Sequence, residues 1–333
     1  MSLAGVGLLT TALFVTHLAV QLPAGRGADR FGSQSVALFA IAAAVAGNAV
    51  LLVGGGFGVA LLGRAIVGVG SGAAFVAGLD LVRAGGGGPA LQGLYGGATM
   101  TGGGLALVIV PPLTDATSWR APYWTAAALA AAAAIPTVAA SALPRIGHAG
   151  EWVPRDRALL PIGVFQAATF GLAVVAGNWA VPLLERQGAS SAAAGLAGGL
   201  ILLAGILTRP TGGLLAGRMS GRRLVAAALV GTSAGAILLA LGGSFALSTL
   251  GSLLLGLMAG LPFAVIFAAA QRVRPDAPGA AIALVNACAV LTILVGTPLA
   301  GLAFELPSDG RLAFAIIAAL SAAALIPLRA ARL

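Results

Sequence analysis

About eleven apolar runs, each roughly twenty residues long, follow one another along this chain, and a helix of that length spans a hydrocarbon core about 30 Å thick. They lie near residues 3–22, 35–53, 58–81, 92–112, 122–142, 159–182, 192–215, 223–242, 246–270, 278–300 and 311–328. A membrane interior admits only helices and closed barrels, because unpaired backbone groups cannot be hydrated there. Stretches such as 123–143 and 224–241 are apolar on all sides and rich in Ala and Leu, unlike the short alternating segments of a barrel strand. The expected fold is therefore all-α: a polytopic transmembrane helical bundle of about 11 spans. A water-soluble alternative is excluded by composition, since 59% of residues are apolar and only 8% are charged, too few to cover a hydrated surface.

Arginine alone carries the positive charge: there are 18 Arg and no Lys against nine acidic residues, for a net charge of +9. When connections alternate sides, one side collects Arg26, Arg30, Arg83, Arg145, Arg155, Arg157, Arg218, Arg222, Arg223, Arg272, Arg274, Arg329 and Arg332. The other holds only Arg120, Arg186 and Arg311, beside Asp115, Glu185, Glu305 and Asp309. The positive-inside bias makes the first side, with the C-terminus, cytoplasmic in a multi-pass protein of the cell membrane. An odd number of spans then puts the N-terminus outside. The arginines are scattered between apolar spans and form no single basic face, which argues against a nucleic-acid partner. Cys288 stands alone, excluding an intramolecular disulfide or a cysteine metal cluster, and no metal or other cofactor is expected. The first apolar stretch has no basic leader, so no cleavable signal is read. The longest polar connection divides the chain into an N-terminal half of about five spans (1–143), a central cytoplasmic loop (144–158) and a C-terminal half of about six spans (159–333).

Two short basic connections match each other. Gly25-Arg26-Gly27-Ala28-Asp29-Arg30-Phe31-Gly32 follows the first span, and Gly213-Leu214-Leu215-Ala216-Gly217-Arg218, running on to Arg222, follows the seventh. Gly25 and Gly213 are separated by the same 188 residues as Arg30 and Arg218, which suggests an internal duplication. The first connection resembles the signature loop of the major facilitator superfamily, of the form G-x-x-x-D-R-x-G-R/K-R/K. Gly25, Asp29, Arg30 and Gly32 match it, while Ser33 and Gln34 stand where basic residues are usual. The resemblance implies a two-half bundle in which this loop latches the cytoplasmic helix ends and releases on switching, with Arg218 and Arg222 in the equivalent place of the second half. An Asp29 charge met by guanidinium donors would make such a latch. The third span, with Gly63-Arg64 followed by Gly68, Gly70 and Gly72, is similar to the family's fourth helix, and its small residues permit close packing. The glycine-rich fourth span is similar to the family's fifth helix but lacks the Gly-Pro step of its antiporters, which weakens a drug-efflux assignment.

Polar groups inside the spans are few, so the candidates for contact with a solute or coupled ion are Arg64, Arg209, His17, Gln166, Asn178 and Asn286. Arg209, in Leu207-Thr208-Arg209-Pro210, sits in a helix loosened by Pro210, and the segment is similar to the eighth helix of the family's nitrate/nitrite porters, where an Arg binds the anion. His17 could carry a coupled proton or simply bond a neighbouring helix. The function expected is secondary active transport of a small solute by alternating access, by a monomer in the lipid bilayer, driven by an ion gradient such as H+. Alternatives are a small-anion porter using Arg209, a drug-type efflux permease, or a shortened, non-transporting membrane protein. The last arises because the first span corresponds to the family's second helix, leaving its first without a counterpart. An enzyme is not expected, since nine acids and two separated histidines, placed mostly in connections, form no catalytic cluster.

Overall fold

Every apolar run becomes helix, and no strand occurs among the described residues; the computed structural model describes residues 3–139, 156–331 and 333. In order the helices are α1 (Leu3–Phe31), α2 (Ser33–Val53), α3 (Phe57–Ala84), α4 (Pro89–Ala116), α5 (Ala121–Ala139), α6 (Leu159–Gln166), α7 (Leu172–Arg186), α8 (Ser191–Leu215), α9 (Gly221–Leu241), α10 (Phe245–Gly260), α11 (Phe263–Val273), α12 (Pro278–Ala303) and α13 (Arg311–Ala323). A π-helical turn, Ala167–Gly171, joins α6 to α7. Among the described residues ten stretches are long and apolar enough to cross a membrane. α4, 28 residues long, occupies the place of the fourth expected run.

The chain groups into two compact units, one of Met1–Gly86, Gly102–Arg155 and Arg274–Ala287, the other of Gly87–Thr101, Asp156–Val273 and Cys288–Leu333. Thus α4 and α12 each contribute to both. In the first unit α3 packs against both α1 and α2. Its glycines decide how closely. A Cβ on Gly72 would stand 2.5 Å from the His17 carbonyl oxygen of α1, and Gly68 meets Leu13 and Thr16 of the same helix. A Cβ on Gly70 would stand 2.7 Å from the Ala44 nitrogen of α2, and Gly63 abuts Leu51. Spacings of four and seven residues thus give α3 two smooth faces, and close backbone approach supplies the dispersion contacts that hold helices together where lipid is as apolar as leucine. Thr16 Oγ1 donates to the Ala65 carbonyl at 2.7 Å across the α1–α3 contact.

In the second unit α10 packs on α8 and α9 in the same manner, with Gly235 and Gly251 facing each other and Gly256 pressed on the Leu200 and Ile201 carbonyls. Ser190, Ser220 and Ser244 cap the starts of α8, α9 and α10, accepting from the amides of Ala193, Arg223 and Leu247. Each occupies one donor that a helix start leaves unpaired.

Three expectations about local structure are corrected. The connection expected at Gly25–Gly32 is helical through Phe31, with Asp29 finding tertiary partners; the break is Gly32 alone, at φ 90°, a region that favours glycine. The run expected at 246–270 is two helices, interrupted at Leu261 and Pro262, where the proline removes a donor and crowds the preceding turn. Pro210, in contrast, does not interrupt α8. It frees the Ile206 carbonyl, which a Cβ on Gly97 of α4 would approach to 2.9 Å. The central loop expected at 144–158 lies outside the described residues as far as Arg155, as does Arg332.

Candidate gating and solute sites

The residues of the first matched motif close on the start of α12. Pro278 is its first helical residue and has no N–H to satisfy; the next two amides, Gly279 and Ala280, donate to the two Asp29 oxygens at 2.8 and 3.0 Å. Asp29 is buried, so its charge faces the positive end of the α12 dipole across little water, and bonds to a charged acceptor are stronger than neutral ones. The sequence pattern leads one to expect guanidinium donors on Asp29; both its oxygens are instead held by backbone amides. This depends on two glycines. A Cβ on Gly25 would stand 2.5 Å from the Gly279 oxygen, and one on Gly279 would stand 2.6 Å from the Gly25 oxygen.

The guanidinium pairing falls on a neighbouring acid. Asp80, buried near the end of α3, takes the Arg83 Nε at 2.6 Å and the Ser33 hydroxyl at the start of α2. Ser33, where the family's motif usually has a basic residue, thereby ties the α1–α2 break to α3. Arg30 is exposed and lies over the Phe31 ring, 5.1 Å from its centroid.

The second motif repeats the helix contact without the charge. Gly213 of α8 abuts the Pro89 carbonyl and would put a Cβ 2.8 Å from the Ala90 Cα, at the start of α4, another helix opening on proline. The equivalent of Asp29 at the 188-residue offset is Gly217. Arg218 is exposed in the turn after α8, and Arg222, also exposed, donates to the Arg329 carbonyl at 3.3 Å.

Arg209 occupies a different setting. It is 2% exposed on α8, and its guanidinium lies over the rings of Phe170 and Phe263, 4.7 and 4.3 Å from their centroids. Both rings come from irregular places: Phe170 from the π turn and Phe263 from the residue after the Pro262 break. Such irregularities turn side chains off the regular helical faces. Arg209 Nη1 donates to the Gly96 carbonyl at 2.9 Å and to Thr99 Oγ1 at 3.2 Å, and Thr99 in turn donates to Gly96. Arg209 lines a small cavity of about 20 Å³, whose other walls include Met100, Phe170, Ala173, Ile201 and Gly205. Among the described residues no carboxylate pairs with Arg209.

The remaining candidates are not gathered in one place. His17 Nδ1 lies 2.9 Å from Ser71 Oγ, which gives its own proton to the Gly68 carbonyl, so the imidazole is the donor to α3. Arg64 is half-buried on α3, next to Gly63. Asn286 of α12 is buried with an unpartnered Oδ1. These three belong to the first unit, while Gln166, Asn178 and Arg209 belong to the second. Gln166, at the end of α6, is buried with an unpartnered Nε2. Asn178 is exposed on α7 and donates to Thr297 Oγ1 at 3.2 Å. Sequence reading missed Phe170, Phe263, Ser33 and the Gly279–Ala280 amides. Asp80 and Arg83, three residues apart on one helix face, were a readable signal, and so was proline opening α12; nothing in the sequence singled out Phe170.

Comparison with known proteins agrees with this arrangement. A family model described as Major Facilitator Superfamily matches twice, at residues 1–166 and 159–332. No curated protein sequence matches. Among solved structures, a variant of the Escherichia coli fucose:proton symporter FucP superposes with a TM-score of 0.81 at 15% identity, covering 98% of this chain and 90% of that one. The human organic anion transporter MFSD10 (TETRAN) superposes with a TM-score of 0.78 at 18% identity, covering 97% and 83%. FucP in its outward conformation gives 0.78 at 14% identity, covering 99% and 90%. At these identities the likeness is one of fold, while the family match spans almost the whole chain. With membrane-spanning helices, a duplicated glycine motif and this match together, the chain belongs to the Major Facilitator Superfamily.

Proposed function

We propose that the chain is a secondary active transporter, not an enzyme, moving a small solute across the cell membrane by alternating access, and that the solute is an anion met by Arg209. Arg209 carries the anion reading. A buried guanidinium with no acid partner among the described residues is expensive, and an arriving anion offsets that cost. A small cavity of about 20 Å³ lies beside it. Proton coupling of the kind named in the fucose:proton symporter fits a gradient-driven carrier, with His17 the candidate proton group.

The gating reading rests on Asp29. On the division expected from the longest polar connection, Asp29 lies in the N-terminal half and Gly279 in the C-terminal half, with the C-terminus cytoplasmic. The Asp29 bonds then hold one access state and break in the other. A latch of a few kcal/mol is strong enough to bias such an equilibrium and weak enough to release. The chain works as a monomer in the bilayer, needing no cofactor.

The test is uptake of nitrate by proteoliposomes under an imposed pH gradient, with Arg209→Ala as the comparison. Uptake that depends on the gradient and is lost in the variant supports the reading. Uptake unchanged by Arg209→Ala rejects the anion site.

A further inference from the structure

We propose that the arginines of the second matched motif, with Arg329, form a docking surface for the headgroups of anionic phospholipids. Arg218 follows α8, Arg222 and Arg223 open α9, and Arg329 closes the 3-10 turn Ile326–Arg329 after α13. All four are exposed and belong to the second unit. The Arg222 guanidinium donates to the Arg329 carbonyl at 3.3 Å, which holds the α9 start against that turn.

Their charge is unanswered. Among the described residues no Asp or Glu pairs with any of the four. Glu185 lies just before α8 and Arg218 just after it, while Glu305 and Asp309 lie before α13 and Arg329 after it, so whole helices separate these acids from the arginines. Asp156, before α6, accepts the Ala158 amide. The first turn of α9 holds no acid, so Arg222 and Arg223 stand at the positive end of its dipole, where cations are unfavourable. Leu333 lies against Gly221, and a carboxylate there would balance only one of the four charges.

Depth and neighbours select a lipid. The arginines lie within three residues of the ends of the spanning stretches Ser191–Leu215, Gly221–Leu241 and Arg311–Arg329, which is headgroup level. Leu214, Met219 and Ile326 are exposed beside them, Ile326 to 81%. A phospholipid meets both features: its phosphate matches the guanidinium fork, and its acyl chains cover the apolar residues. On the expected orientation this side faces the anionic cytoplasmic leaflet. The repeat that carries Gly217 in place of Asp29 thus finds its counter-charge outside the protein.

The test titrates the full chain in detergent with phosphatidylglycerol, with phosphatidylcholine of the same acyl chains as the neutral lipid and glycerol 3-phosphate as a headgroup without chains. Phosphatidylglycerol should raise the unfolding midpoint saturably, and less at high salt, at concentrations where the other two do not. Arg222→Gln combined with Arg223→Gln should weaken phosphatidylglycerol binding at least roughly fivefold, and native mass spectrometry should find fewer lipids retained. Arg311→Gln, exposed at the opposite end of α13, should change neither. Equal stabilisation by phosphatidylcholine, or a loss with Arg311→Gln as large as with the double variant, overturns the proposal. Equal stabilisation by glycerol 3-phosphate assigns the surface to a soluble phosphate, and stronger stabilisation by polyglutamate assigns it to an acidic protein; either result also overturns it.

Discussion

The Asp29 carboxylate accepts the Gly279 amide at 2.8 Å, so the acid of a sequence motif caps a helix some 250 residues further along the chain. Gly213 stands in the same relation to the start of α4 that Gly25 has to the start of α12, yet its repeat carries Gly217 where the first carries Asp29. The duplication thus preserves the close helix contact and confines the charged bond to one copy.

Asp29→Asn keeps one acceptor and removes the charge facing the α12 dipole. The state seen here should lose about 1–2 kcal/mol, read as a lower unfolding midpoint in detergent. An unchanged midpoint would show that the carboxylate contributes nothing beyond contact.

Gly25→Val should cost more, about 1–3 kcal/mol, because its side chain would enter the space of the Gly279 carbonyl and Ala283 and force the helices apart. Combined with Asp29→Asn, the loss should be less than additive, since separating the helices already breaks both amide bonds. The same midpoint measurement on single and double variants checks this.

Gly32→Ala places a Cβ at φ 90° and should destabilise by about 1–2 kcal/mol without touching the Arg209 cavity. Anion binding in this variant should match the unaltered chain at temperatures where both are folded.

Arg209→Lys keeps the charge but loses the planar fork over the Phe170 and Phe263 rings. Anion affinity should fall at least roughly tenfold even though the net charge is the same. Phe170→Ala, which removes one stacked face, should weaken the site by about 0.5–2 kcal/mol. A lysine variant binding as tightly as arginine would show that charge alone suffices.

Helical class, the places of the spans, the duplicated motif and the position of Arg209 inside a span were all legible in the sequence, because they follow from run length, residue spacing and the rarity of charge among apolar residues. Helix ends were less so. Hydropathy ends the first run near residue 22, whereas α1 continues to Phe31, since Arg26, Asp29 and Arg30 interrupt hydropathy without interrupting backbone bonding. The partner of Asp29 was illegible for a different reason: it is a pair of backbone amides, which every residue but proline possesses and no residue type advertises. Phe170 was hidden because ordinary helical periodicity cannot anticipate the π turn that turns it onto Arg209.

Counterflow in proteoliposomes tests the central claim most directly, with unlabelled nitrate inside and labelled nitrate outside. Alternating access through an Arg209 site predicts transient accumulation of label by the unaltered chain and none by Arg209→Ala. No accumulation, or accumulation unaffected by the substitution, would contradict it.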